Sequence, residues 1–161
     1  MANITTLLKA ASGNSQRGRN VFMVENTIDI VATTIDPSSA DTVQAITLPA
    51  GCKVISAGVE VVESATMNTG TDAVVSLGFT GGDVDEFVAL FDIDGAADGA
   101  YAPEIAIDGT TVTATDDTID LLFAGTGASF TAGKLRVYAV MMDVSSQGDT
   151  SADEVDRDTL A

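Results

Sequence analysis

Residues 53–64, KVISAGVEVVES, decide how this chain folds. Val59 and Val61 fall on one face of an extended strand and Glu60 on the other, the period-2 alternation of a half-buried β-strand. Gly58 inside the run marks either a β-bulge or a close approach to the backbone. Immediately before it, residues 48–51 (LPAG) reverse the chain: the proline cannot donate to a ladder and the glycine tolerates positive φ. Residues 42–48 (TVQAITL) read as the preceding strand, and residues 68–71 (NTGT) as the following turn.

The same grammar continues in both directions. Towards the N-terminus, residues 21–24 (VFMV) and 28–35 (IDIVATTI) are β-branched and partly alternating until DPSS at 36–39 breaks the run. Towards the C-terminus, residues 73–79 (AVVSLGF) form an apolar strand, 81–85 (GGDVD) a loop, 86–93 a strand or short helix, and 94–102 (DGAADGAYA) a loop. Residues 104–107 and 110–114 flank Asp108-Gly109, a two-residue hairpin signal. Residues 118–123 (TIDLLF) and 134–144 (KLRVYAVMMDV) supply the last strands. Lys134 and Arg136 lie two residues apart on one face of the last strand, placed to pair with acids on its neighbour, and Met141-Met142 divides between core and edge. Eight or nine short strands recur every 8 to 14 residues, with no helix longer than about two turns and no fixed repeat. This predicts an all-β fold, an antiparallel β-sandwich of jelly-roll type. Asp outnumbers Glu by 18 to 6, as expected where acids populate turns.

Charge divides the chain into three. Of 161 residues, 24 are Asp or Glu, 7 are Lys or Arg and none is His, yet the first acid is Glu25. Residues 1–20 therefore read as a basic, extended N-terminal arm carrying Lys9, Arg17 and Arg19, the candidate contact residues. Its AASGNSQRGRN stretch has no apolar period and reads either as a plain disordered terminus or as a segment that orders only on contact with a neighbour. Residues 21–144 are the sandwich domain and 145–161 a flexible acidic tail. A net charge of −17 excludes nucleic acid and anionic membrane surfaces as partners of the folded body. Acidity of this size keeps a crowded repetitive particle soluble, suits a salty habitat, or supplies carboxylates to cations. Residues 4–8 are too short and polar for the core of a secretory signal, and no stretch is long enough to span a bilayer, so a soluble chain is expected.

The residues needed for catalysis are missing. Without histidine the commonest general base is absent and no Ser-His-Asp or Cys-His site can form within one chain. There is no phosphate loop with its lysine and no Cys/His cluster for zinc. Two carboxylates can cleave a glycosidic bond, but sugar clefts are lined by aromatic platforms and this chain has two tyrosines and no tryptophan. The single Cys52 forms no intrachain disulfide and opens an apolar run, as a small buried hydrophobe would. The one candidate for calcium is Asp83, Asp85 and Glu86 with Asp92, Asp94 and Asp98; DIDG at 92–95 starts like a calcium loop, but its glycine comes too early and no glutamate closes it. No cofactor is expected, and the sequence does not predict an enzyme.

Residues 41–51 (DTVQAITLPAG) with the valine-rich run 54–64, the Gly/Asp segment 81–99 and the closing 131–138 (TAGKLRVY) resemble the small structural proteins of tailed bacteriophages, in the same order along the chain. The resemblance covers residues 41–144 and leaves out the arm and the tail. It implies a virion component on the capsid surface: a head decoration or cement protein that trimerises on the lattice and contacts the major capsid protein. It transfers no individual residues, because such proteins act through surfaces. The alternative is a β-sandwich on a tail or head appendage that binds host surface glycans, with or without calcium.

Overall fold

The computed structural model describes residues 21–70, 72–79, 82–102, 112–127 and 129–144. Seven strands and one 3-10 turn are found there: β1 (Val21–Asp29), the turn (Pro37–Ser39), β2 (Thr42–Leu48), β3 (Cys52–Met67), β4 (Asp72–Phe79), β5 (Val88–Asp92), β6 (Asp117–Thr126) and β7 (Phe130–Asp143). They form two sheets, ordered β1-β7-β3 and β2-β6-β4-β5, with every neighbouring pair antiparallel. The chain changes sheet between β1, β2, β3 and β4 and returns with β7, so non-neighbours in sequence meet in space. The all-β sandwich expected from the sequence is the fold. The arm (1–20), the tail (145–161) and most of the expected hairpin at 104–114 lie outside the described residues.

β7 shows why the sheets close on one another. Its alternate residues Leu135, Val137, Ala139 and Met141 are buried, while Lys134, Arg136, Tyr138, Val140 and Met142 are half-buried on the opposite face. Val54, Val59 and Val61 of β3 meet the first set from the same sheet; Val75 and Leu77 of β4 with Ile119, Leu121 and Phe123 of β6 meet it from the other. One contiguous cluster results, built of aliphatics with few rings. Phe87 is fully buried from the loop before β5, edge-on to Phe79 with ring centroids 4.9 Å apart. Such a pair adds roughly 0.5–1.5 kcal/mol beyond its buried area.

One local expectation is overturned, and two that the sequence left open are resolved. The 28–35 run is not one strand: β1 stops at Asp29, whose Oδ1 accepts the N–H groups of Val31 (3.1 Å) and Ala32 (2.9 Å). A carboxylate that mimics the backbone turns the chain there, and Ile30 and Ile35 both fold back into the core. Gly58 marks a close approach rather than a bulge. The Tyr138 ring lies across it, and a Cβ at position 58 would come within 2.5 Å of the tyrosine Oη. The β3 irregularities fall instead at Val54/Ser56 and between Val61 and Met67. Residues 86–93 contain a strand, not a helix, and β5 is bulged between its pairings Val75↔Phe91 and Leu77↔Val88.

Leu90 sits in that bulge at φ 46°, in the left-handed region, with its side chain 67% exposed. Its N–H is held by Oγ of the buried Ser76 at 3.2 Å. A Cβ in this region costs roughly 1–2 kcal/mol, and glycine has none. Leu90→Gly is therefore expected to raise the unfolding free energy by about 1 kcal/mol in denaturant titration; a lower midpoint would show that the side chain, not the backbone, matters there.

Candidate interaction surface

The outer face of the three-stranded sheet is the best-built surface feature. β1 is its edge. Val21, Phe22, Met23 and Val24 are all exposed, between 37% and 61%. Across the sheet, Val21 pairs with Met142, Met23 with Val140, Tyr138 with Gly58 and Arg136 with Glu60. The opposite edge, β3, is covered. Gly99 N–H donates to Val61 O (2.7 Å), Val61 N–H to Ala100 O (2.8 Å) and Ala102 N–H to Val59 O (2.9 Å). These bonds hold Tyr101 over the face, where its ring stands 6.3 Å from that of Tyr138 at 65°. β1 pairs with β7 alone among the described residues.

Met23, Glu25, Glu60, Tyr101, Arg136 and Tyr138 enclose an open groove of about 220 Å³. Arg136 Nη1 donates to Glu60 Oε2 at 3.1 Å, and its Nε is buried without a partner. One position along, Lys134 Nζ donates to Glu63 Oε2 at 2.6 Å. That bond and the charge of Glu63, with a smaller contribution from Asp29, push the Lys134 ammonium above its ordinary value. The two-residue spacing read from the sequence thus yields two cross-strand ion pairs. The Lys134–Glu63 pair is half-exposed and worth little to stability, whereas the Arg136–Glu60 pair is more enclosed, with the Glu60 side chain 16% exposed. Their consequence is electrostatic: with Lys134 and Arg136 matched, residues 21–144 retain one further cation, Lys53, against 19 acids. Glu25 makes no hydrogen bond or ion pair among the described residues.

Three of the acids proposed for calcium hold backbone N–H groups. Asp83 Oδ1 accepts Asp85 N–H (3.3 Å), Asp92 Oδ1 accepts Asp94 N–H (3.0 Å) and Asp98 Oδ1 accepts Ser64 N–H (2.7 Å). The Asp83 and Asp85 carboxyls share a hydrogen bond, which lowers Asp83 and raises Asp85. No group of three or more metal-ligating side chains comes together among the described residues. Cys52 is buried, and desolvation followed by the charge of Asp143 pushes its thiol up. Met141 is buried and Met142 half-buried, dividing between core and surface as read from the sequence. Lys9, Arg17 and Arg19 lie outside the described residues. The groove itself was not read from the sequence. Tyr101 belongs to a segment that reads only as a loop, and nothing local shows that it returns over Tyr138.

No protein-family model and no curated protein matches this chain. Two solved structures share its fold. A chain of the cyanophage Pam1 capsid asymmetric unit is 20% identical with a TM-score of 0.58, covering 88% of this chain and 97% of its own length. A chain of the acid-stable capsid of Helicobacter pylori bacteriophage KHP30 is 13% identical with a TM-score of 0.53, covering 78% and 89%. Since 88% of 161 residues answers to 97% of the Pam1 chain, that chain is about 146 residues long. The likeness thus embraces nearly a whole small protein rather than a domain of a large one.

Burial and the Asp143 charge both oppose the Cys52 thiolate, so the nucleophilic form appears only at higher pH than for a free cysteine. At pH 8 the native thiol should react with a thiol-specific disulfide reagent at least roughly tenfold more slowly than the unfolded chain. Equal rates would place Cys52 at the surface.

Proposed function

We propose that this chain is a structural protein of a phage particle, seated on the outer surface of the head shell as a decoration or cement protein. The observation that carries the reading is the end-to-end likeness of its β-sandwich to a small chain within a phage capsid. Charge supports the outer position. A body with 19 acids and 3 bases between residues 21 and 144 is repelled by packaged nucleic acid and suited to face solvent in many copies. Rigidity supports it too, because one contiguous, mainly aliphatic core is shared by the two sheets.

Such a protein works through protein–protein contacts and not through chemistry. The major capsid protein is its partner, with other copies of itself, in a homotrimer matched to the threefold positions of a shell lattice. The basic arm with Lys9, Arg17 and Arg19 is the natural strap, since it alone concentrates positive charge. The host-glycan reading draws on one observation, the Tyr101–Tyr138 pair in an open groove. A single small groove flanked by three charged side chains supports it less well than the shell reading.

The test is add-back. Purified full-length protein is mixed with shells that lack it and sedimented, beside a variant without residues 1–20. The full chain should co-sediment to saturation; the variant should keep its far-ultraviolet dichroism and melting transition but bind weakly. A truncated protein that still fills every site removes the arm from the account, and a full-length protein that never binds shells removes the decoration role.

A further inference from the structure

We propose that the groove on the outer face receives an arginine from the arm of a second copy of this chain, whose residues near Arg17 and Arg19 add as a strand along the free edge of β1. This rests on the reading of the arm as a contact element and supplies its receptor.

The groove chemistry selects a guanidinium. Its walls are two tyrosine rings in edge-to-face contact and a methionine thioether, and its rim holds Glu25, a carboxylate with no partner among the described residues. Glu60 and Arg136 neutralise one another, so among the described residues the groove is one negative charge out of balance. A planar cation satisfies all three walls at once, stacking on the rings while its N–H groups meet the carboxylate. An anion meets Glu25 without a countercharge.

Of the body's three cations only Lys53 is left without an ion pair among the described residues. Lys134 and Arg136 are matched by Glu63 and Glu60, whereas the arm carries three cations and no acid. The edge is equally one-sided. β3 is bonded by residues 99–102, while among the described residues β1 presents nine residues paired only to β7, four of them exposed apolar side chains. An open edge of that length and character takes up another strand. Arg17 and Arg19 are two residues apart, so an extended arm presents both on one face, with the same period that puts Met23 and Glu25 on the outer face of β1.

The donor is a second copy because of where the arm begins. It joins β1 at Val21, four residues and about 13 Å of strand from Glu25. Its own Arg19 lies only two residues further back, so reaching the groove would require the arm to double back on the strand it has just entered. Arg17 lies four residues before Val21, about 13 Å of extended chain, so the arginines reach a copy packed directly against the start of β1.

Self-association of the full chain, followed by sedimentation velocity without shells, tests this. Arg17→Ala/Arg19→Ala and Glu25→Gln should each weaken association roughly tenfold or more, and combined they should cost little beyond either alone. Arg17→Lys/Arg19→Lys should recover only part. Unchanged association in the alanine and glutamine variants, with their melting transitions intact, overturns the proposal. Two differently sized populations carrying Arg19→Cys and Glu25→Cys, oxidised together, should form a mixed disulfide. A chain carrying both substitutions that closes only on itself shows that the arm serves its own groove and overturns the second-copy assignment. Failure here leaves the shell reading standing; a chain that associates through the groove but never binds shells overturns the shell reading alone.

Discussion

The alternation along β7 is the constraint on which the rest depends. Among the described residues this strand lies between the other two strands of its sheet, and its two faces do different work. Leu135, Val137, Ala139 and Met141 close the core; Lys134, Arg136 and Tyr138 build the outer surface. Because side chains alternate with a period of two, a slip of one residue against β1 or β3 would exchange these sets. It would bury an arginine and a lysine and expose four apolar residues. Tyr138 reinforces the register from outside, since only a glycine opposite leaves room for its ring, and Gly58 is in that place.

From that strand the electrostatics of the body follow. The two cations of β7 are committed across the sheet to Glu60 and Glu63, and six aspartates accept backbone N–H groups: Asp29, Asp36, Asp83, Asp92 and Asp116 at turns, and Asp98 from Ser64 of β3. The acidity is therefore in part architectural. Short carboxylates end strands and shape connections, and their remaining charge keeps the surface negative. A surface of that kind repels other dense negative charge.

Much of this was legible in the sequence, and the reasons for what was not are instructive. Strands with clean alternation, such as 53–64 and 134–144, were readable because one face is buried and the other is not. The pairing of Lys134 and Arg136 with acids across the sheet followed from the same spacing. The 28–35 run misled because its β-branched residues look like a strand, whereas Asp29 turns the chain by bonding two N–H groups ahead of itself. That competition between side chain and ladder is settled by tertiary burial of Ile30 and Ile35. The groove was invisible for a different reason. Met23, Glu60, Tyr101 and Tyr138 come from four separate segments, and only the bonds of residues 99–102 to β3 bring Tyr101 to the others. The conformation of Leu90 was equally hidden, since nothing local predicts a leucine where glycine is favoured.

The account's central claim is positional: a compact acidic sandwich on the outside of a phage head. A symmetry-averaged electron cryomicroscopy reconstruction of the particle tests it most directly. The account predicts density for two packed sheets at repeated lattice positions on the outer surface, with a thin extension from β1 crossing to a neighbouring copy. Density for this chain on the tail alone, or lining the inner wall against the genome, would contradict it.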